Sequence, residues 1–118
     1  MRILAWNIRG GGGVRAAAIA RQIARWSVDV VALSEFRGTP PSCALAARLA
    51  GAGLAHQLTT ADRDIPHANA LLIASRWPVR RVRLRAGPSL RHRWIAASVA
   101  APLPFILGAM HEIGRAHV

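Results

Sequence analysis

Apolar runs that each end on a polar side chain set the pattern at the start of this chain. The first, Ile3-Leu4-Ala5-Trp6, ends at Asn7 and is followed by Ile8-Arg9 and the glycines Gly10 to Gly13. The second, from Val28 to Ser34, ends at Glu35 and is followed by Phe36-Arg37. Between them, Val14 to Trp26 carries Ile19, Ile23 and Trp26 at helical spacing, with Arg15, Arg21 and Arg25 among them. This predicts a strand–helix–strand unit, whose crossover places its two strands parallel in one sheet. Parallel strands share a polarity, so Asn7 and Glu35 are expected at the same sheet edge. An amide and a carboxylate there begin a site for a hard divalent cation, because such ions select oxygen ligands.

The pattern continues as an α/β domain. Phe36 to Pro41 reads as a loop, and Ser42 as the cap of a helix through Arg48 and Leu49 that ends near Gly51 or Gly53. Leu54 to Thr59 reads as a short strand and Ala61 to His67 as a polar loop. Asn69–Ser75 and Val79–Arg85 are expected as one antiparallel pair turning at Arg76-Trp77-Pro78. Trp94–Ala101 and Phe105–His111 are expected as a second, turning at Pro102-Leu103-Pro104. No repeat, heptad or low-complexity linker divides the chain.

Four of these segments, taken in order, resemble the endonuclease/exonuclease/phosphatase superfamily, which includes deoxyribonuclease, abasic-site endonucleases, sphingomyelinases and inositol-phosphate phosphatases. Its members open with a strand ending in a pair such as Trp6-Asn7, and their second strand ends in a metal-binding Glu, here within Leu33-Ser34-Glu35-Phe36. A later strand reads like "ILSRxP", here Leu72-Ile73-Ala74-Ser75-Arg76-Trp77-Pro78, and a further one ends in a His, here Ile106 to His111. The resemblance covers nearly the whole chain but only about the first half of a family domain. It implies the first half of a four-layer α/β sandwich, with a mixed sheet and helices on one face. It also implies a Mg²⁺- or Mn²⁺-dependent phosphodiesterase or phosphomonoesterase acting on a phosphoester substrate, nucleic acid included. Glu35 and Asn7 would be the metal residues, and Asn7 and His111 would contact phosphate oxygens as catalytic residues. In the deoxyribonuclease-like branch a carboxylate near the start of the "ILSRxP" strand fixes the tautomer of that His. Here the comparable residue is Asn69.

The family's Asp-x-Asn and Ser-Asp-His-like motifs, which supply the water-orienting Asp and a late His, do not occur in this sequence. An inactive fragment is therefore expected. Glu112 to Val118 back-translates as GAG ATC GGA AGA GCA CAC GTC, a string that reads as a short-read sequencing adapter followed by a stop. On that reading residues 1–111 are the family portion and 112–118 a non-native tail, a different codon series in the gene being the contrary result.

Composition adds three points. A hydrophobic fraction of 53% and a mean hydropathy of +0.25 are high for 118 residues, and predict that one apolar sheet face lacks its partner. No segment reaches the roughly 18 uninterrupted apolar residues of a membrane span, and no separate signal peptide precedes Asn7. The single cysteine, Cys43, cannot form an intrachain disulfide, so a reducing cytoplasm is the expected location. All 16 basic residues are Arg against five acids, a net charge of +11. Arg80 to Arg85 and Arg91-His92-Arg93 suit polyanions, yet Arg81, Arg83 and Arg85 alternate with Val82 and Leu84 as on a solvated strand face.

Other readings compete at single residues. Asn7 suits the capping of its own following turn, which is compatible with a place beside a metal. Gly10 to Gly13 lacks the Lys and Ser/Thr of a P-loop and reads as a strand-to-helix connection. Asp62, Asp64 and His67 lie close together but at uneven spacing for a second metal site. Arg76 is expected to pair with a carboxylate. The rival class is a non-enzymatic, Arg-rich nucleic-acid-binding module, for which Trp77 and Trp94 would have to be exposed beside the arginines.

Overall fold

The structure, a computed structural model, describes residues 1–83 and 94–111. Leu84, Arg85, the Arg91-His92-Arg93 stretch and the tail 112–118 lie outside the described residues.

Strand β1 (Ile3–Asn7) leads through the glycine loop and a single 3₁₀ turn (Gly13–Arg15) into helix α1 (Ala16–Arg25). The helix buries Ala16, Ile19, Ala20 and Ile23 along one face and leaves Arg21 and Arg25 in solvent. Strand β2 (Val30–Phe36) returns parallel to β1, with Asn7 opposite Ser34. This is the crossover unit expected from the spacing.

Helix α2 (Pro40–Gly51) starts earlier than the sequence suggested. Its N-cap is Thr39, and Pro40 and Pro41 occupy the first turn, where a missing N–H removes no helical bond. Ser42 is thus inside the helix and fully buried. It is a tie rather than a cap: its Oγ donates to Gly11 O at 2.7 Å and accepts the Arg37 N–H at 3.1 Å.

Strands β3 (His56–Thr59) and β4 (Ala70–Ser75) complete a mixed sheet in the order β1-β2-β4-β3, with β4 antiparallel to both neighbours. Here the expected hairpin of Asn69–Ser75 with Val79–Arg85 does not form. Ser75 is already opposite Val30 on one side and His56 on the other, so neither edge of β4 is open. The turn at Arg76-Trp77-Pro78 instead carries the chain into a second sheet. There β5 (Val79–Arg81) pairs with β6 (Trp94–Val99), which pairs with β7 (Phe105–Met110), all antiparallel. The β6–β7 pair is the one expected from the sequence.

Two apolar cores follow from strand alternation. Val31, Leu33, Leu72 and Ala74 face the helices, against Ile19, Ile23, Leu45 and Leu49. Val30, Leu71 and Ile73 face the second sheet, against Ile95, Ala97 and Val99. The layers are helices, first sheet, second sheet. The helix side of the first sheet is covered, and so are Val30, Leu71 and Ile73 on its other side, but edge strand β1 leaves Ile3 (49% exposed) and Ala5 open there, so the unpartnered apolar face expected from composition is confined to that edge. Apolar residues are also exposed on the outer side of β7, where Ile106 is 66% and Met110 55% exposed.

Glycines at the β1–α1 connection solve a steric problem. Gly10 to Gly13 all have positive φ. At Gly11 (φ +77°) a Cβ would stand 2.9 Å from Ser42 Oγ and 3.1 Å from Arg37 Cδ. At Gly10 (φ +59°) it would meet nothing within 4 Å.

Two comparisons test this packing by urea unfolding. Ile73→Ala, in the inter-sheet core, is expected to cost about 2–5 kcal/mol and Ile106→Ala on the outer side within about 0.5 kcal/mol. Gly10→Ala, which meets only the conformational penalty, is expected to cost about 1 kcal/mol, and Gly11→Ala, which adds a steric clash, more than that, up to about 3 kcal/mol. Equal losses within either pair would contradict the assignment of the layers or of the loop.

Candidate functional site

Glu35 leaves the strand pattern at a bulge. Ser34 is opposite Leu71 and Phe36 opposite Ala70, so Glu35 is an extra residue between them. Its φ of +57° is left-handed, a region L-residues rarely adopt. The insertion returns Phe36 to the helix-facing core beside Leu33 and turns the Glu35 carboxylate toward the end of β1.

Three groups meet that carboxylate, and a fourth holds the backbone carbonyl of the same residue. The Asn7 amide hydrogen-bonds it. Since Asn7 Oδ1 already accepts the Arg9 N–H at 3.0 Å, the amide nitrogen is the group that donates to Glu35. Asn7 therefore caps its own turn and orients Glu35 with the other end of the same side chain. The Gly10 N–H donates to Glu35 Oε1 at 3.3 Å, and the Gly11 N–H donates to Glu35 O at 2.8 Å. His111, just past β7, brings Nε2 to 3.8 Å from Glu35 Oε2. A residue of the second sheet thereby joins two of the first.

Burial pushes the Glu35 carboxyl up, but the Asn7 amide, the Gly10 N–H, His111 and Arg37 together outweigh it, and the net shift is below the ordinary 4.5. The ionised form is thus the one that folding favours. Its contribution to stability is present above pH 4.5 and is lost as pH falls through the lowered value. The arrangement is a partly buried carboxylate held ionised, with a neutral amide and an imidazole beside it. That chemistry suits a hard cation and an oxyanion. Among the described residues no group of three or more His, Cys, Asp or Glu converges, so Glu35 is the carboxylate these elements offer.

From Asn7 and Met110 a mostly apolar groove of about 340 Å³ runs back along β1 and β7 between the two sheets, lined by Leu4, Ala32, Leu71, Leu107 and Ala109.

Other sequence candidates separate from this place. Asp62 Oδ1 accepts the Asp64 N–H at 2.8 Å, which makes Asp62 a turn-former. Arg76 pairs with Asp29 at 3.1 Å, as its turn position suggested, and Asp29 also accepts the Arg2 N–H at 2.8 Å. Trp77 packs on the inter-sheet core and the Trp94 ring lies against Gly108, and both are half-buried. Arg81 reaches the carbonyl of Thr59 at 3.2 Å and ties the two sheets. Sequence reasoning did not single out Arg37 or Ser42 as site residues. For Arg37 the available signal was its position directly after the strand that carries Glu35.

No helix among the described residues is long and apolar enough to cross a membrane. A comparison with curated proteins finds no match. The crystal structure of an endonuclease/exonuclease/phosphatase from Beutenbergia cavernae DSM 12333 is similar to this chain, with a TM-score of 0.73 and 25% identity. The match covers 98% of this chain and 39% of that one. The sequence profile of the Endonuclease/Exonuclease/phosphatase family matches residues 4–110. With its mixed sheet, its second sheet and nearly its whole length accounted for in this way, the chain belongs to the endonuclease/exonuclease/phosphatase family.

Proposed function

We propose that this chain carries one part of the active site of a divalent-metal-dependent phosphoester hydrolase, a nuclease or phosphatase, and that it is catalytically silent by itself. The observation that carries the reading is the convergence of Asn7, Glu35 and His111 from two sheets, with Glu35 held ionised. A carboxylate oxygen beside an amide fits Mg²⁺ or Mn²⁺, both of which prefer oxygen donors. Glu35 would hold the ion, with Asn7 beside it. When bound, the ion would supply charge to polarise a phosphoryl oxygen.

The chain's own residues would do the rest. Asn7 keeps Glu35 aimed by donating from its amide nitrogen, while the Gly10 N–H fixes Oε1. His111 is placed to donate from its ring to a phosphate oxygen next to Glu35. Orientation of the attacking water is assigned in the family to the Asp of the Asp-x-Asn motif, which this sequence does not contain. Groups that act as a unit lose nearly all their effect when one is missing, which supports silence. The nucleic-acid-binding alternative has less support, because Trp77 is half-buried against the inter-sheet core.

Mn²⁺ titration by calorimetry, with turnover of bis(para-nitrophenyl) phosphate measured in parallel, tests the proposal. One carboxylate predicts weak binding, with a dissociation constant on the order of millimolar, lost on Glu35→Gln and weakened by Asn7→Ala, and no turnover above background. Mn²⁺ binding that ignores Glu35→Gln would overturn the metal assignment. Metal-dependent turnover abolished by Glu35→Ala would overturn the silence.

A further inference from the structure

Arg37 lies two residues beyond Glu35 and is half-buried, and its side chain is held at several points. Its backbone N–H is bound by Ser42 Oγ, and its Cβ and Cδ pass close by the Cα of Gly11, where any side chain would collide with them. Its Nε donates to Asn69 Oδ1 at 2.8 Å. The Nη1 and Nη2 groups make no hydrogen bond to a described residue, and no carboxylate among those residues forms an ion pair with Arg37. The guanidinium is therefore oriented by one edge while the four N–H donors of its other end stay available. Its charge is felt at Glu35.

The partner on the held edge is chemically informative. A carboxylate at position 69 would bind the guanidinium as an ion pair and cancel its charge. The amide of Asn69 fixes direction and leaves the full positive charge in place. An oriented, unneutralised guanidinium beside a candidate metal carboxylate is a fork for two oxygens of a phosphate.

We propose that Arg37 binds the phosphate group of the substrate beside Glu35, and that Asn69 is the positioning residue that aims Arg37 without neutralising it. This rests on the phosphoester reading of the site and adds the residue pair that recognises the anion. It also gives Asn69 a role other than tautomer control of His111.

The test is calorimetric titration of the protein with inorganic phosphate in EDTA, with thermal unfolding recorded for every variant. Without metal, phosphate affinity depends on Arg37, whereas Mn²⁺ affinity depends on Glu35, so either reading can fail without the other. Loss of a charge-assisted contact predicts that Arg37→Ala weakens phosphate binding about tenfold or more. Asn69→Asp should weaken it about as far while leaving the melting temperature unchanged or higher, because the new ion pair stabilises the fold as it cancels the charge. Asn69→Ala should fall between these and the parent. Arg21→Ala, which removes the same charge from the exposed side of α1, should change little, and Glu35→Gln should strengthen phosphate binding by removing a nearby like charge. Asn69→Asp binding phosphate like the parent would overturn the proposal. So would equal losses in Arg37→Ala and Arg21→Ala, which would mean that net charge alone attracts phosphate, or no phosphate binding by the parent.

Discussion

A carboxylate at the end of a strand whose core residues are buried on both faces needs a way out of the sheet, and the left-handed bulge at Glu35 provides it. Such a backbone is costly for an L-residue, on the order of 1–3 kcal/mol, and persists only where its surroundings fix it. Here the fixing groups are specific. Gly11 N–H holds the Glu35 carbonyl, Gly10 N–H and the Asn7 amide hold its carboxylate, and Ser42 holds the Gly11 carbonyl from inside α2. The glycine loop, the early start of α2 and the close passage of Arg37 all follow from that one geometry. Had β2 continued in regular alternation, Phe36 would face the second sheet and leave the helix-side core.

Much of the fold can be read in the sequence because two periodicities dominate it. The 3.6-residue spacing of Ile19 and Ile23 marks α1, and the runs ending at Asn7 and Glu35 mark a parallel pair. The pairing of β4 differs from the expected hairpin for a physical reason. A short turn at Trp77-Pro78 is compatible with a hairpin, and pairing depends on which edges other strands already occupy. All six residues of Ala70–Ser75 are buried, the mark of a central strand, and that continuous apolar run was the signal against an open edge. Once β5 is placed with β6, Val30, Leu71 and Ile73 of the first sheet are covered, and part of the excess of hydrophobic residues goes into a second core.

At the candidate site, Asn7, Glu35 and His111 were the residues the sequence pointed to, the structure brings them together, and chain polarity was enough to expect the first two side by side. It could not show the division of labour within one amide, Oδ1 to the Arg9 N–H and the nitrogen to Glu35, because that depends on the turn taken by the backbone. Nor could it show that Asn69 bonds Arg37 across 32 residues. A substitution of carboxylate by amide reads in sequence as a lost partner for His111. In three dimensions it is a partner for a different cation.

The whole arrangement depends on Glu35 being ionised and gripped by the loop, and a carbon NMR titration of its side-chain carboxyl measures this directly. The carboxyl should titrate below 4.5, the Gly10 amide proton should shift with the same midpoint, and Asn7→Ala should move that midpoint upward. A midpoint at or above 4.5, with a Gly10 amide indifferent to it, would contradict the account.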